Sequence, residues 1–314
     1  MTVALIVGSA GQDGYYLTQQ LRMQGYETVG LARDGCYRNG EWTGPPVDIC
    51  APTVVHDLIA RVGPDEIYYL AALHHSSEEN TGADAELFAH SFAVHVDALL
   101  ALVEGMHRVT PSARLFYAAS CLIFGEPAGA PQTEETPVAP ICPYGITKAA
   151  GLEVCRYYRR RHGLFCAGGI LYTHESPRRS PRFLSRRIVR QAVAISCGRA
   201  GELVVGDPDA RVDWGFAPDY VDAMQRILRV DVPDDFIVAT GQAHPVRDFI
   251  DAVFAALGLS PEGRLRIDPA RIVRAQRGVP LIGNPAKLAA ATGWRNTVDL
   301  EHLARLMVSA ELAV

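Results

Sequence analysis

Tyr144-Gly145-Ile146-Thr147-Lys148 sets a phenol and an ammonium four residues apart, which on a helix is a single face. A neighbouring ammonium favours phenolate over phenol, so the spacing predicts a Tyr144 pKa drawn down from about 10. Such a pair can pass a proton to or from a sugar hydroxyl while hydride moves to or from a nicotinamide. Lys148 is also placed to hold the nicotinamide ribose. Ser120 stands upstream at the end of a strand-like run and can hydrogen-bond the same substrate oxygen. YxxxK alone recurs in helices whose Tyr is only buried and whose Lys is only solvated. Its weight here comes from its order after a glycine turn and a strand-end serine.

That turn is Gly8-Ser9-Ala10-Gly11-Gln12-Asp13-Gly14, a GxxGxxG run between an apolar β-rich stretch and a helical one. Glycines let backbone approach a pyrophosphate, and the helix N-terminus adds N–H donors and the positive end of its dipole. The end of the second strand-like run helps choose the dinucleotide: an acid suits the 2′-hydroxyl of NAD, an arginine the 2′-phosphate of NADP. The sequence there is Ala32-Arg33-Asp34. Arg33 favours NADP(H), and Asp34 keeps NAD open. Asp48 is placed either to accept from the adenine amino group or to close an ordinary turn.

These residues need a scaffold. Strand-like runs at 2–7, 27–33, 66–73, 113–120 and 165–173 alternate with helical spacing at 15–25, 52–62, 83–109 and 144–162. This βαβ rhythm predicts an α/β Rossmann-type fold, a doubly wound parallel sheet with helices on both faces. Beyond it lie Pro/Arg-rich 176–187, helical stretches at 188–198, 246–257, 285–292 and 300–313, and strands at 202–205 and 236–239. The expected division is a dinucleotide domain of 1–173 plus 213–242 and a smaller mixed α/β substrate lobe of 174–212 plus 243–314.

Composition sets the outer bounds. The 314 residues include 48% hydrophobic and 21% charged ones, an ordinary globular mix,. Thirty Lys and Arg against 35 Asp and Glu give a formal charge of −5, unfavourable for general nucleic-acid binding,. The reading expects no membrane span, no signal peptide and no metal cluster among the seven scattered cysteines, hence a cytoplasmic chain with reduced thiols,.

Nearly the whole chain resembles the extended short-chain dehydrogenases/reductases of nucleotide sugars, and within them the GDP-mannose 4,6-dehydratase family. The matching blocks are Gly11-Gln12-Asp13-Gly14, Pro143-Tyr144 with Lys148, His174-Glu175-Ser176-Pro177-Arg178-Arg179, Asp213-Trp214-Gly215 with Asp219-Tyr220-Val221, 235–241, Asn284-Pro285 with Lys287, and Gly293-Trp294. The resemblance implies that Leu70 and Ala71 flank the cofactor. It implies a nucleotide-sugar substrate, GDP-linked by preference, gripped by Arg178, Arg187 and Arg274, with Arg179 and Arg186 as further candidates. His75 and Glu175 would lie near the sugar. Each of these has a plainer alternative, a solvated arginine or a structural histidine. The resemblance also implies a homodimer through 83–109 and 144–162, or a tetramer.

The chain departs from the family's pattern at the residue two after the serine. The family has a Glu there, in a segment like STSELYG, that moves the C5 and C6 protons of dehydration. Here Ser120-Cys121-Leu122 supplies a leucine, which carries no proton. Cys121, on an alternating strand, should point away from that position. Tyr69, Thr173 and Val212 also differ from the family's Asn, Asn and Arg. The implied reaction is therefore reduction of a 4-keto sugar, a GDP-4-keto-6-deoxyhexose or a related heptose. A C4 epimerase with retained cofactor is the second reading, and a dehydratase with an unconventional base the third.

Overall fold

The computed structural model describes residues 1–74, 84–272 and 278–313. Strand β1 (Val3–Val7) leads through the glycine turn into α1 (Gln12–Met23) and β2 (Glu27–Ala32). A hairpin follows, β3 (Gly35–Arg38) and β4 (Glu41–Gly44), then α2 (Pro52–Val62) and β5 (Glu66–Tyr69). Helices α3 (Asp84–Phe92) and α4 (Ala98–Val109) are joined by a π-helical turn, Ala93–Asp97. Next come β6 (Arg114–Ser120), a 3₁₀ turn (Cys121–Phe124), α5 (Pro143–His162), β7 (Phe165–Leu171) and the short β8 (His174–Glu175).

Among the described residues the main sheet has eight strands. From β7 through β6, β5 and β1 to β2 every pairing is parallel, and β12 (Asp235–Val238) joins parallel outside β7. Alternate residues of β1 enter opposite cores. Leu5 and Val7 pack with α2, α4 and α5; Ala4 and Ile6 pack with α1 and α7 (Ala217–Ile227). Both faces are thus dry, which is why these strands read as continuous apolar runs.

Several elements lie beyond the sequence expectation, a hairpin and a helix among them. The β3–β4 hairpin extends the sheet antiparallel beyond β2. Its signal was Asn39-Gly40, with Asn39 at φ 51° and Gly40 at φ 84°, the left-handed pair that a two-residue hairpin demands,. Helix α7 was announced by Pro218 near its start,.

A third core lies between α6 (Leu184–Ser196), α8 (Val246–Ala256) and α10 (Leu300–Leu312), with Leu203 and Val205 of β9 (Leu203–Val205). A short ladder joins this part to the rest, β8 with β11 (Gly215–Phe216), while β10 (Arg211–Val212) pairs with β13 (His244–Pro245) within it. β14 (Leu265–Ile267) pairs with β9. Helix α9 (Ala286–Thr292) sits inside the stretch expected to belong to the lobe, yet Leu288 and Trp294 pack into the sheet's second core. Buried Asp213 anchors the seam. Its carboxylate accepts from Thr240 N–H (2.9 Å) and Oγ1 (2.6 Å), Gly241 N–H (3.1 Å) and Gly283 N–H (3.2 Å).

Among the described residues one helical stretch, Asp84–Val109, is by length and composition alone long and apolar enough to cross a membrane. Its apolar residues have another use: Leu99, Leu102, Val103 and Met106 are buried in the sheet's first core.

Candidate active site

The glycine turn closes on itself. Gly8 (φ +98°) lies so near the end of β5 that a Cβ would stand 2.9 Å from Ala71 N and 3.0 Å from Leu70 C, and one on Gly14 would run into Gly8 O and Ser9. Gly11 is exposed, and as N-cap of α1 it offers no side chain to the first N–H groups of the helix. A bare helix N-terminus behind an outward-facing glycine fits a dinucleotide pyrophosphate. Residues 70–71, named from the resemblance, flank this turn.

Gln12 and Asp13 face the other way. Gln12 Nε2 donates to His174 O (3.1 Å), and Ser176 Oγ donates to Gln12 Oε1 (2.7 Å). Asp13 pairs with His174 Nε2 at 3.0 Å. Burial works to raise the Asp13 carboxyl, but the imidazolium outweighs it and holds the group below its ordinary value. The partner mirrors this: burial works against His174, and Asp13 lifts it above 6.5. His174 also stacks on Tyr220, ring centres 4.4 Å apart.

Arg33 is exposed where β2 turns into the hairpin. The Asp34 carboxylate accepts from Tyr37 O–H at 3.0 Å, so the acid is engaged within the hairpin. Asp48 is exposed and accepts from Cys50 N–H at 2.9 Å, closing a turn ahead of α2.

The catalytic candidates meet at the carboxyl end of β6. Ser120 ends the strand, and its Oγ accepts from Leu122 N–H at 3.3 Å. The strand stops there. Residues 121–124 form a 3₁₀ turn, so the alternation that was to direct Cys121 away from Leu122 does not apply. Cys121 is buried, and burial pushes its thiol up to about 12; Leu122 is half-buried. Helix α5 begins with Cys142 Sγ accepting from Gly145 N–H and Pro143 in the first turn, which puts Tyr144 and Lys148 on its inward face.

Lys148 is 1% exposed. Its Nζ donates to Ala118 O at 2.8 Å and lies 5.1 Å from the Tyr117 ring centre and 5.7 Å from that of Tyr144. Burial pushes its pKa down to about 7. The sequence expectation for Tyr144 is corrected here: burial drives its phenol above the ordinary value, and Arg179 opposes this only in part. Burial is the leading cause, and the Lys148 ammonium donates to a backbone carbonyl. Two histidines absent from the sequence reading of the site complete it. His74 stacks on Tyr144 (4.4 Å, 25°), and His95 meets it edge-on (5.3 Å, 89°). No spacing announced them; they arrive from β5's loop and the π-helical turn.

The substrate candidates are split. Arg178 lies over the Tyr15 ring (3.7 Å), beside the glycine turn. Arg179 lies over Phe183 (3.6 Å) and pairs with buried Glu175 at 3.2 Å. Arg186 pairs with Glu311 of α10 at 2.6 Å, and Arg187 is half-buried in the first turn of α6. His75 and Arg274 lie outside the described residues.

The sequence profile of the family described as GDP-mannose 4,6 dehydratase matches residues 5–307. GDP-mannose 4,6 dehydratase 2 of Arabidopsis thaliana is 34% identical over 330 residues, 99% of this chain and 87% of that protein. The protein of the same name from Caenorhabditis elegans is 33% identical over 349 residues, covering 99% and 89%. In solved structures, the fold is shared with RMD from Pseudomonas aeruginosa complexed with NADPH (TM-score 0.83, 21% identity, 100% and 99% coverage). It is also shared with Thermus thermophilus UDP-glucose 4-epimerase in complex with NAD (TM-score 0.82, 25% identity, 99% of each chain). The chain therefore belongs to the GDP-mannose 4,6-dehydratase family, within the NAD(P)-dependent short-chain dehydrogenases/reductases of nucleotide sugars.

Proposed function

We propose that the protein is an NADP(H)-dependent reductase of a nucleotide-linked 4-keto sugar, GDP-4-keto-6-deoxyhexose by preference. The observation that carries this reading is the pairing of a complete Ser120/Tyr144/Lys148 trio with a leucine at position 122. The trio suffices for moving a hydride and a proton. Dehydration also needs a group to exchange the C5 and C6 protons, and Leu122 has none; losing such a group costs roughly 10²–10⁴-fold.

NADPH, when bound, supplies the hydride. Gly8, Gly11, Gly14 and the first turn of α1 would hold its pyrophosphate, with Leu70 and Ala71 alongside and Arg33 at the 2′-phosphate. Ser120 Oγ already accepts from Leu122 N–H, which leaves its own hydrogen to donate to the ketone oxygen. Tyr144, kept a neutral phenol by burial, gives its proton to that oxygen as the carbonyl becomes an alcohol. For the Lys148 ammonium to stabilise the phenolate left behind, its Nζ, 5.7 Å from the Tyr144 ring centre, would have to turn from Ala118 O. Arg178 and Arg179 would meet the substrate's diphosphate from the arm after β8. The division into a dinucleotide domain and a substrate lobe is kept in this reading, with 285–294 reassigned to the sheet.

The test is a parallel assay of the purified protein with GDP-mannose and with a GDP-4-keto-6-deoxy sugar, following NADPH absorbance and product mass. NADPH consumption with the keto sugar alone supports the reductase. Loss of water from GDP-mannose without added cofactor overturns it in favour of the reaction named for the relatives. Interconversion of a nucleotide sugar by protein that never releases its cofactor overturns it in favour of a C4 epimerase.

A further inference from the structure

His95 is fully buried, and nothing in the proposed chemistry uses it. It lies on the π-helical turn Ala93–Asp97 that interrupts an otherwise α-helical stretch. Leu73 N–H donates to its Nε2 at 2.9 Å, so that nitrogen bears the lone pair. The ring proton then sits on Nδ1, which donates to Thr147 Oγ1 at 2.7 Å,. Thr147 passes its own hydrogen to the carbonyl of Pro143 (2.9 Å) or Tyr144 (3.1 Å).

One imidazole thus fastens two segments that enclose the Tyr144 ring. Through Thr147 it holds the first turn of α5, where Tyr144 and Lys148 stand on either side of the threonine. Through Leu73 it holds the strand-end segment whose next residue, His74, stacks on the phenol face. Its own edge closes a further side at 89°. A structural core histidine needs only its two bonds satisfied; this one satisfies them with both walls of the phenol's slot. Resting on the reading of Tyr144 as the proton donor, we propose that His95 is a positioning residue that fixes the Tyr144 ring through Thr147 and the Leu73–His74 segment without itself meeting the substrate.

The ring's electrostatics agree with that role. Burial, with Lys148 and His74 nearby, pushes its pKa down to about 2. A protonated ring would turn an N–H against Leu73 N–H and release the segment. Fixed neutrality keeps the tautomer, and with it both bonds, across the working pH range.

The full-length protein is assayed with NADPH and keto sugar as His95→Asn, Thr147→Val and Thr147→Ser. A positioning role lowers kcat roughly 10–100-fold in His95→Asn and Thr147→Val, with KM for both substrates within about twofold. Thr147→Ser, which keeps the hydroxyl, stays near the parent, and the His95→Asn/Thr147→Val double variant is no worse than the weaker single one. Unchanged kcat in both single variants, or equal losses in Thr147→Ser and Thr147→Val, overturns the proposal. Should His95→Asn not fold, the threonine pair decides.

A second readout needs no turnover. The ¹⁵N imidazole shifts of the parent should show a neutral Nδ1–H ring from pH 5 to 9, and the ¹³Cζ titration of Tyr144 should move in Thr147→Val. A ring that protonates near pH 6.5, or an unmoved Tyr144, overturns the inference. If the parent reduces no keto sugar at all, the reductase reading fails alone, and this readout still decides the part played by His95.

Discussion

The corner where β6 meets α5 and the arm from Ser176 to Arg187 hold their polar groups by different means. At the corner, hydrogen bonds to backbone fix each group: Lys148 to Ala118 O, Ser120 to Leu122 N–H, His95 to Leu73 N–H. On the arm, guanidinium groups lie on aromatic rings, Arg178 on Tyr15 and Arg179 on Phe183. A backbone hydrogen bond prescribes distance and angle. A cation–π stack is worth about 0.5–2 kcal/mol and lets the cation slide over the face. In the proposed reading the chemistry is therefore preorganised, while the proposed anion grip of the arm can adjust to its ligand. Substitutions at the corner should act on kcat, and those on the arm on KM.

The sharpest way to break that contrast is Tyr144→Phe. The ring and its stack on His74 remain, and only the proton is lost. A fall in kcat on the order of 10³-fold with little change in KM is expected from steady-state assays. A drop of under about tenfold would mean that the proton comes from elsewhere and that the corner is not the reacting centre.

Lys148→Met separates chemistry from stability. kcat should fall on the order of 10²-fold, yet the variant should melt several degrees higher near pH 6. The parent buries an ammonium whose pKa is about 7 in the fold and about 10.4 in the unfolded chain. Between those values the unfolded chain binds more protons, so the parent gains stability as pH rises and the gap to the variant narrows. Thermal scans from pH 6 to 10 measure the gap. A parent that melts above the variant at pH 6 contradicts the burial argument.

On the arm, Arg178→Ala and Arg179→Ala should each raise the nucleotide-sugar KM roughly tenfold and leave kcat within about twofold. Arg179→Lys should not rescue, since an ammonium cannot both stack flat on Phe183 and pair with Glu175 as the planar fork does. A parallel fall in kcat would erase the distinction between the two regions.

The same contrast explains what the sequence made legible. Tyr144 and Lys148 were readable because one helix sets their relation, four residues on one face. The glycine turn and Ser120 were readable because a single strand–turn unit contains each of them. The parallel sheet was readable from its uninterrupted apolar strands. Where the reading went astray, local pattern gave way to distant partners. Lys148 should have lowered the Tyr144 pKa by spacing alone; burial raises it, and Lys148 donates to Ala118 of another element. Cys121 and Leu122 should have alternated, but the strand ends one residue too soon. His74 and His95 come from separate elements and meet Tyr144 only in three dimensions. The Asn39-Gly40 hairpin, by contrast, was written in the sequence and overlooked.

Asp13 and His174 carry the smallest effect and join the two regions. The glycine turn supplies the acid, β8 just before the arm supplies the base, and 161 positions separate them in sequence. The signs of their shifts make this link a pH-limited one. Asp13 is held below its ordinary value, so its contribution is present above about pH 4 and is lost as pH falls through the folded pKa,. His174 is held above 6.5, so its contribution is complete below that value and is lost as pH rises through the raised pKa,. The two windows overlap between about pH 4 and 6.5. There the Tm difference between the parent and Asp13→Asn should be greatest, a few degrees, and it should shrink toward pH 9. A difference that is flat from pH 5 to 9 would mean that hydrogen bonding alone, without charge, ties the arm to the turn. The arm would then keep its position at alkaline pH, and its adjustability would have to come from the arginine stacks alone.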